Sequence, residues 1–207
     1  MVDGPGLRER KKLETRRVLW QAAVRLFDER GYDQVSIAEI AAAANVSKMT
    51  VFNYYATKED LVFGPMEEHI EDFARVILTR PPGTGVVAAL REHFLELLAN
   101  RDPVSGLNDL PQIRALQLLM LRTPTLQPRA RMFFHRSEEA ITAALRKETD
   151  ELTARIAAGQ IMTVRSTLMQ TNVEQLCKGR TIDEVYPEAI AATNRAFDLL
   201  EHGLAAL

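Results

Sequence analysis

Ser36-Ile37-Ala38-Glu39-Ile40-Ala41-Ala42-Ala43-Ala44-Asn45-Val46-Ser47-Lys48-Met49-Thr50-Val51-Phe52-Asn53-Tyr54-Tyr55 decides the fold. Ser36 and Glu39 stand in S-x-x-E spacing, so the hydroxyl caps the third residue along and the carboxylate returns to the cap, which predicts a helix start. Ile37, Ile40, Ala41 and Ala44 then share one face. Asn45 tolerates a left-handed backbone and Ser47 is a second cap, so this helix is short and another begins at once. The second helix runs from about Lys48 to Tyr55, with Val51 and Tyr55 one turn apart and facing inward with Val46. At about 100° per residue, Met49 and Asn53 point away from Val51, flanked by Thr50 and Phe52. An ordinary surface helix exposes Lys and Glu there.

Upstream, Leu19, Ala22, Ala23, Leu26 and Phe27 recur at helical spacing, predicting a helix from about Lys11 to Arg30 that Gly31 ends. Before it, Arg8, Arg10, Lys11, Lys12, Arg16 and Arg17 outnumber Glu9 and Glu14. Up to Ala56 there are nine Lys/Arg against seven Asp/Glu, leaving 17 against 21 of the chain's 26 and 28 for the rest. A basic arm on a mildly acidic chain suits contact with phosphates, and equally a frayed, solvated terminus.

The outward face of the second short helix suits the major groove. Asn bonds adenine bidentately, Met touches a thymine methyl, and Ser, Thr and Lys bond phosphates or bases. Two helices joined by a tight turn, the second with such a face, make a helix-turn-helix at about 36–55. The run Ser36 to Ala41, then Ala44 to Tyr55, then Lys58-Glu59-Asp60-Leu61, together with Ala22-Ala23, Leu26-Phe27 and Gly31-Tyr32, resembles the DNA-binding domain of TetR-family transcriptional regulators. The resemblance implies DNA contacts at Ser47, Lys48, Thr50 and Tyr54, and a phosphate contact at Lys58. Phe52 stands where Tyr is common, so its carried-over role shrinks to van der Waals contact; Asn45 stands where Gly is typical. With Ser36, Met49 and Asn53 added from the face and the caps, these are the candidate DNA-binding residues. The expected domains are a DNA-binding domain over 8–63 and a helical domain over 64–207.

Gly64-Pro65 predicts a break or joint in the helix that Thr57 and Lys58 open. Helices are expected at about 66–79, 86–100, 110–122, 126–147, 150–178 and 184–205, the last with a second capping box, Thr181 with Glu184. The fold class is therefore all-α: an N-terminal three-helix helix-turn-helix domain and a C-terminal helical ligand-binding and dimerisation domain. In the last two helices Ile156, Ile161, Val164 and Leu168, and Ile190, Phe197, Leu200 and Leu204, are the candidate dimer interface, which the resemblance places on two such helices from each subunit; an intrachain core explains the same residues. Phe94, Leu97, Met120, Met132, Phe133, His135 and Asn172 are the candidate ligand-binding residues, and an unadorned core accounts for the apolar ones as well. His93, Arg114, Gln117 and Arg131 are further polar groups in this region that could orient a ligand.

Ten Gly and nine Pro, about 9% of the chain against roughly 12% on average, exclude a turn-rich β protein and a fibrous one. The longest run without charge, Pro81 to Leu90, is far short of the about 20 apolar residues of a membrane span. The lone Cys177 forms no internal disulfide, which fits a reducing cytoplasm. Four histidines (His69, His93, His135, His202) show no zinc spacing, and no phosphate loop or nucleophile elbow occurs, so neither an enzyme, a cofactor nor a metal is expected. The expectation is a homodimeric repressor that binds a palindromic operator in double-stranded DNA and is released by a small apolar or amphipathic effector. A ligand-independent DNA binder, or an activator, is the alternative.

Overall fold

The computed structural model describes residues 6–203, without the side chains of Leu7 and Glu9. The chain is 79% helical, and among the described residues there is no strand. Ten α-helices follow in order: α1 Leu7–Arg30, α2 Ile37–Ala43, α3 Lys48–Tyr54, α4 Asp60–Phe63, α5 Asp72–Thr79, α6 Val86–Ala99, α7 Pro111–Arg122, α8 Gln127–Leu145, α9 Glu151–Cys177 and α10 Ile182–His202. Two compact units result. One holds the chain up to Pro65 together with Ala115–Arg129; the other holds Met66–Arg114 and the chain from Ala130 onward. The return of Ala115–Arg129 to the first unit leaves no mark in the sequence, where the Gly64-Pro65 break and the resemblance suggested a single boundary at 63/64.

In the first unit α1 packs on α2 and α4, and α2 on α3; Leu19, Ala23, Val24 and Phe27 of α1, Ile40 of α2, Val51 of α3 and Leu61, Val62 and Phe63 of α4 are all buried. Each turn has a chemical reason. Gly31 takes φ +83° and its N–H closes α1 on the Phe27 carbonyl. Asn45 takes φ +54° between α2 and α3, as its amide side chain tolerates. Thr57 and Asp60 exchange hydrogen bonds of 3.0 and 3.2 Å at the start of α4. The returning segment is tied in by Thr125 Oγ1, 3.3 Å from the Asp33 carboxylate, and by Arg129, 2.7 Å from the Asp60 carboxylate. Helix α1 begins earlier than periodicity placed it, because its first turns are charged on every side and carry no apolar stripe.

The helix expected over 66–79 is two pieces. Gly64–His69 is a 3₁₀ helix, and α5 starts only at Asp72. Pro65 lacks the N–H that an α-helix here would require. In the second unit α5 packs on α6, and α6 and α9 pack on α10. Their common core holds Phe73, Ile77, Leu90, Phe94, Leu98, Ala154, Ala158, Leu168 and Phe197. Thr181 and Glu184 form the expected capping box of α10.

Candidate nucleic-acid interface

Helix α3 is set by both of its ends. Ser47 caps it, accepting from the Thr50 N–H at 3.0 Å, while the two hydroxyls lie 2.8 Å apart. At the other end Tyr55 is buried, its hydroxyl donating to the Arg16 carbonyl at 3.2 Å beneath the Arg16 guanidinium. With Val51 fully buried between them, the rotation of the helix is fixed and its outer face is determined.

That face carries Met49 at 69% exposure and Phe52 at 49%, with Lys48 and Asn53 also exposed and Thr50 and Tyr54 half-buried. A thioether, a phenyl ring, an amide and one ammonium are turned to solvent, and among the described residues Asn53 makes no side-chain hydrogen bond that would account for it. Apolar side chains displayed singly need no explanation, but two on a seven-residue helix beside an amide have the chemistry that base edges in a major groove can meet. Ser36 lies elsewhere: its side chain is part of the α2 capping box, where its N–H and hydroxyl meet Glu39 Oε2 at 2.9 and 2.7 Å. Glu39 also pairs with Arg30 at 2.7 Å. These bonds, first those from Ser36 and then that from Arg30, pull the Glu39 carboxyl from its ordinary 4.5 down to about 2.

Lys58 is placed differently from a solvent-facing phosphate contact. Its Nζ donates to the Tyr32 carbonyl at 2.7 Å and the Val35 carbonyl at 2.9 Å, and sits 4.1 Å from the Tyr32 ring centroid. Two of its three protons hold the loop between α1 and α2. A lysine at this spacing reads in sequence as a free cation; only the loop carbonyls show otherwise. Exposed cations of the first unit include Lys48 on α3 and, on α1, Arg8, Arg10, Lys11, Lys12 and Arg17.

The second unit corrects several expectations. Met132 is 53% exposed and His135 is exposed, facing Glu139 at 3.3 Å, so neither lines an interior. Asn172 is buried but donates to the Ser105 carbonyl at 2.9 Å, which pins the loop before α7 to α9. Phe94 and Phe133 are buried and Leu97 packs against the core, while Met120 is half-buried on the part of α7 that belongs to the first unit. Of the interface candidates, Ile161, Leu168 and Phe197 are interior residues of their own chain, and Val164, Ile190 and Leu200 lean on that interior. Only Ile156 is exposed, with Leu152 one turn before it; Leu204 lies outside the described residues. The outward face of α9 instead carries Gln160, Thr163, Thr167, Gln170 and Thr171.

Residues 19–63 match the family model of bacterial regulatory proteins, tetR family. The chain is 33% identical to the HTH-type transcriptional regulator TcmR of Streptomyces glaucescens over 139 residues, a match that spans 66% of this chain and 60% of TcmR. Its fold is that of NalD, the secondary repressor of the MexAB-OprM multidrug efflux pump in Pseudomonas aeruginosa. That likeness has a TM-score of 0.61 at 18% identity, over 88% of this chain and 96% of NalD. FadR of Bacillus subtilis in complex with stearoyl-CoA is similar in fold too, with a TM-score of 0.56 at 20% identity over 91% and 98% of the two chains. None of the helices among the described residues is long and apolar enough to cross a membrane.

Proposed function

Since the chain belongs to the TetR family of transcriptional regulators, we propose that it is a homodimeric repressor whose α3 helices read a palindromic operator and whose second unit binds the effector that releases it. The observation that carries the reading is the outer face of α3, where Met49, Phe52 and Asn53 stand exposed over a fully buried Val51. In the major groove Asn53 is the bidentate reader of adenine, Met49 and Phe52 supply apolar contact to thymine methyls, and Lys48 and Tyr54 hold the backbone. Of the Ser47 and Thr50 hydroxyls, already joined, the one that accepts keeps its proton free to donate to a phosphate oxygen or a bridging water. Lys58 acts one step back, as the positioning residue of the loop that seats α2.

One seven-residue helix reads only a few base pairs. A two-fold pair with half-sites about one helical turn or more apart supplies the missing specificity. The uncharged stripe Gln160 to Thr171 on α9 supports a second copy as its cover, since a freely solvated helix face this long carries Lys and Glu as a rule. For release, an effector has to bind the form that does not fit DNA better than the form that does, with a coupling of about 1–3 kcal/mol. The stearoyl-CoA bound to FadR supports an amphipathic effector held among helices.

Selection of binding sites from random duplexes with the purified full chain tests the DNA reading. A two-fold symmetric consensus bound in a salt-sensitive manner is expected; an asymmetric or absent consensus overturns it.

A further inference from the structure

The interior of the second unit holds a charge that its surroundings do not neutralise. Arg165 lies on the face of α9 that also presents Ile161, Met162 and Leu168, and it is only 5% exposed. Its guanidinium stands 5.0 Å from the centroid of the Phe73 ring of α5. Nη1 is buried without a hydrogen-bond partner, and among the described residues no carboxylate stands within ion-pair distance. Asp72, the acid whose field reaches Arg165, is occupied elsewhere: it accepts from His69 Nδ1 at 2.7 Å and from Arg75 at 2.6 Å.

A second unpartnered group is joined to the first through the same ring. His93 of α6 meets Phe73 edge to face, with centroids 5.8 Å apart, and its Nε2 is likewise buried with no partner. Burial above all, and the Arg165 charge among the smaller influences, hold this imidazole below its usual pKa and favour its neutral form, whose one ring N–H can be carried on Nε2. Burial drags Arg165 itself down from the ordinary guanidinium range to about 10, which leaves it charged at neutral pH. A water molecule would satisfy one N–H of the guanidinium but not its charge. A buried guanidinium held only by an aromatic ring is one of the costliest groups a core contains, and natural interiors pair such groups.

We infer that Arg165 is the anion-binding group of an internal site for a small apolar carboxylate, with His93 Nε2 as the second donor and Phe73 as the wall between them. The inference rests on the ligand-responsive reading above and names the chemical class of its effector. A monocarboxylate fits better than a phosphate. One guanidinium and one imidazole match a single charge, among the described residues no second cation is placed beside them, and Asp72 opposes a dianion. The body attached to the carboxylate is apolar because the buried neighbours are: Phe73 of α5 and, about a turn from Arg165 along α9, Ile161, Met162 and Leu168. Met162 yields space at small cost, having three soft torsions.

The test uses the full chain, sodium octanoate and sodium benzoate as probes, and octanamide and benzamide as their neutral counterparts. Thermal unfolding and calorimetric titration are followed on the wild type and on Arg165→Met, with an operator band-shift in parallel. The carboxylates should raise the Tm of the wild type with concentration while the amides do not. Arg165→Met should weaken carboxylate binding at least about tenfold, as loss of a charged hydrogen bond does. Without ligand, the same variant should melt higher by about 3 °C or more, because it removes an uncompensated buried charge. Amides matching the carboxylates, or an Arg165→Met variant that melts lower yet binds carboxylate unchanged, overturns the inference. Should the variant fail to fold, the comparison of carboxylate with amide on the wild type still decides. Amides that bind and release the operator would sink the carboxylate site and leave the ligand-responsive reading standing. Carboxylates that bind through Arg165 without releasing DNA would establish the site and remove the release mechanism instead.

Discussion

At the scale of single residues, the division of labour between Lys48 and Lys58 turns on where each ammonium sits. Lys48 is exposed at the first turn of α3, whereas Lys58 spans two loop carbonyls and an aromatic ring. Lys48→Ala should lower the slope of log K against log salt by about one, the signature of one lost phosphate contact. Lys58→Met should leave that slope unchanged and cost about 1–3 kcal/mol of stability, read by denaturant unfolding; a lowered slope would return Lys58 to the phosphate set. Asn53→Ala should relax discrimination at one operator position by about 1–3 kcal/mol, and an unchanged consensus in site selection would remove it from the readers. Glu39 tests the capping box through pH. Its carboxyl titrates at about 2 in the folded chain against 4.5 ordinarily, so the stability it supplies is complete above about pH 4.5 and disappears as the pH falls toward 2. The stability gap between wild type and Glu39→Gln should therefore close over that window, and a gap independent of pH would show that the box contributes through shape alone. Much of this chemistry was legible in the sequence. Ser36 with Glu39, Asn45 and Ser47 are local signals, and each does in the structure what its residue type dictates. The engagement of Lys58 was not legible, because its partners are backbone carbonyls more than twenty residues away.

At the scale of elements, the joint between α4 and the 3₁₀ helix is where sequence and structure can be pressed hardest. Gly64 is helical and needs no unusual backbone, yet a Cβ placed on it would stand 2.8 Å from Tyr55 Cε1. Tyr55 cannot swing away freely, since its hydroxyl is tied to Arg16 and its ring closes the end of α3. Gly64→Ala should thus cost about 1–3 kcal/mol through overpacking and loosen the rotation of α3, seen as weaker operator binding with little change in the salt slope. If Gly64→Ala melts like the wild type, the contact is soft and α3 is held by Val51 alone. Helix starts with capping chemistry, α2, α3 and α10, were readable in advance. The split of the expected 66–79 helix was readable only as a break at Pro65, because a 3₁₀ turn and an α turn share the same apolar spacing over six residues. The apolar stripes of α9 and α10 were ambiguous for a related reason. A stripe states that a face is covered but not by which chain, and the interior of this one claimed Ile161, Leu168 and Phe197. Arg165 shares that register, four residues after Ile161 and three before Leu168, so its burial was encoded in the periodicity while the want of a partner was not.

At the scale of the molecule, the proposed dimer has to bury what the single chain leaves outside. The outward face of α9 offers Leu152 and Ile156 at its start and the neutral Gln160, Thr163, Thr167, Gln170 and Thr171 beyond. Side by side with α10 it borders a groove lined by the small or neutral Thr171, Gln175, Ala191 and Ala192, with one charge of each sign, Glu188 and Arg195. Short side chains let two such faces approach closely, and a stable interface needs about 800 Å² from each partner, which two long helices supply. Thr167 sits midway along the stripe and is exposed, so Thr167→Glu costs the monomer little. Across a two-fold axis, however, the same change places two carboxylates in one desolvated seam. Thr167→Glu should convert a dimer into monomers by light scattering at micromolar concentration, with the helical circular dichroism retained. Operator binding should then become second order in protein and weaker overall, while a single half-site is bound as before. Phe197→Ala is the contrasting case: it should cost about 3–5 kcal/mol of stability as a core cavity, whatever the oligomeric state. If Thr167→Glu stays dimeric, the two copies meet on another face, and the neutral stripe on α9 needs a different cover.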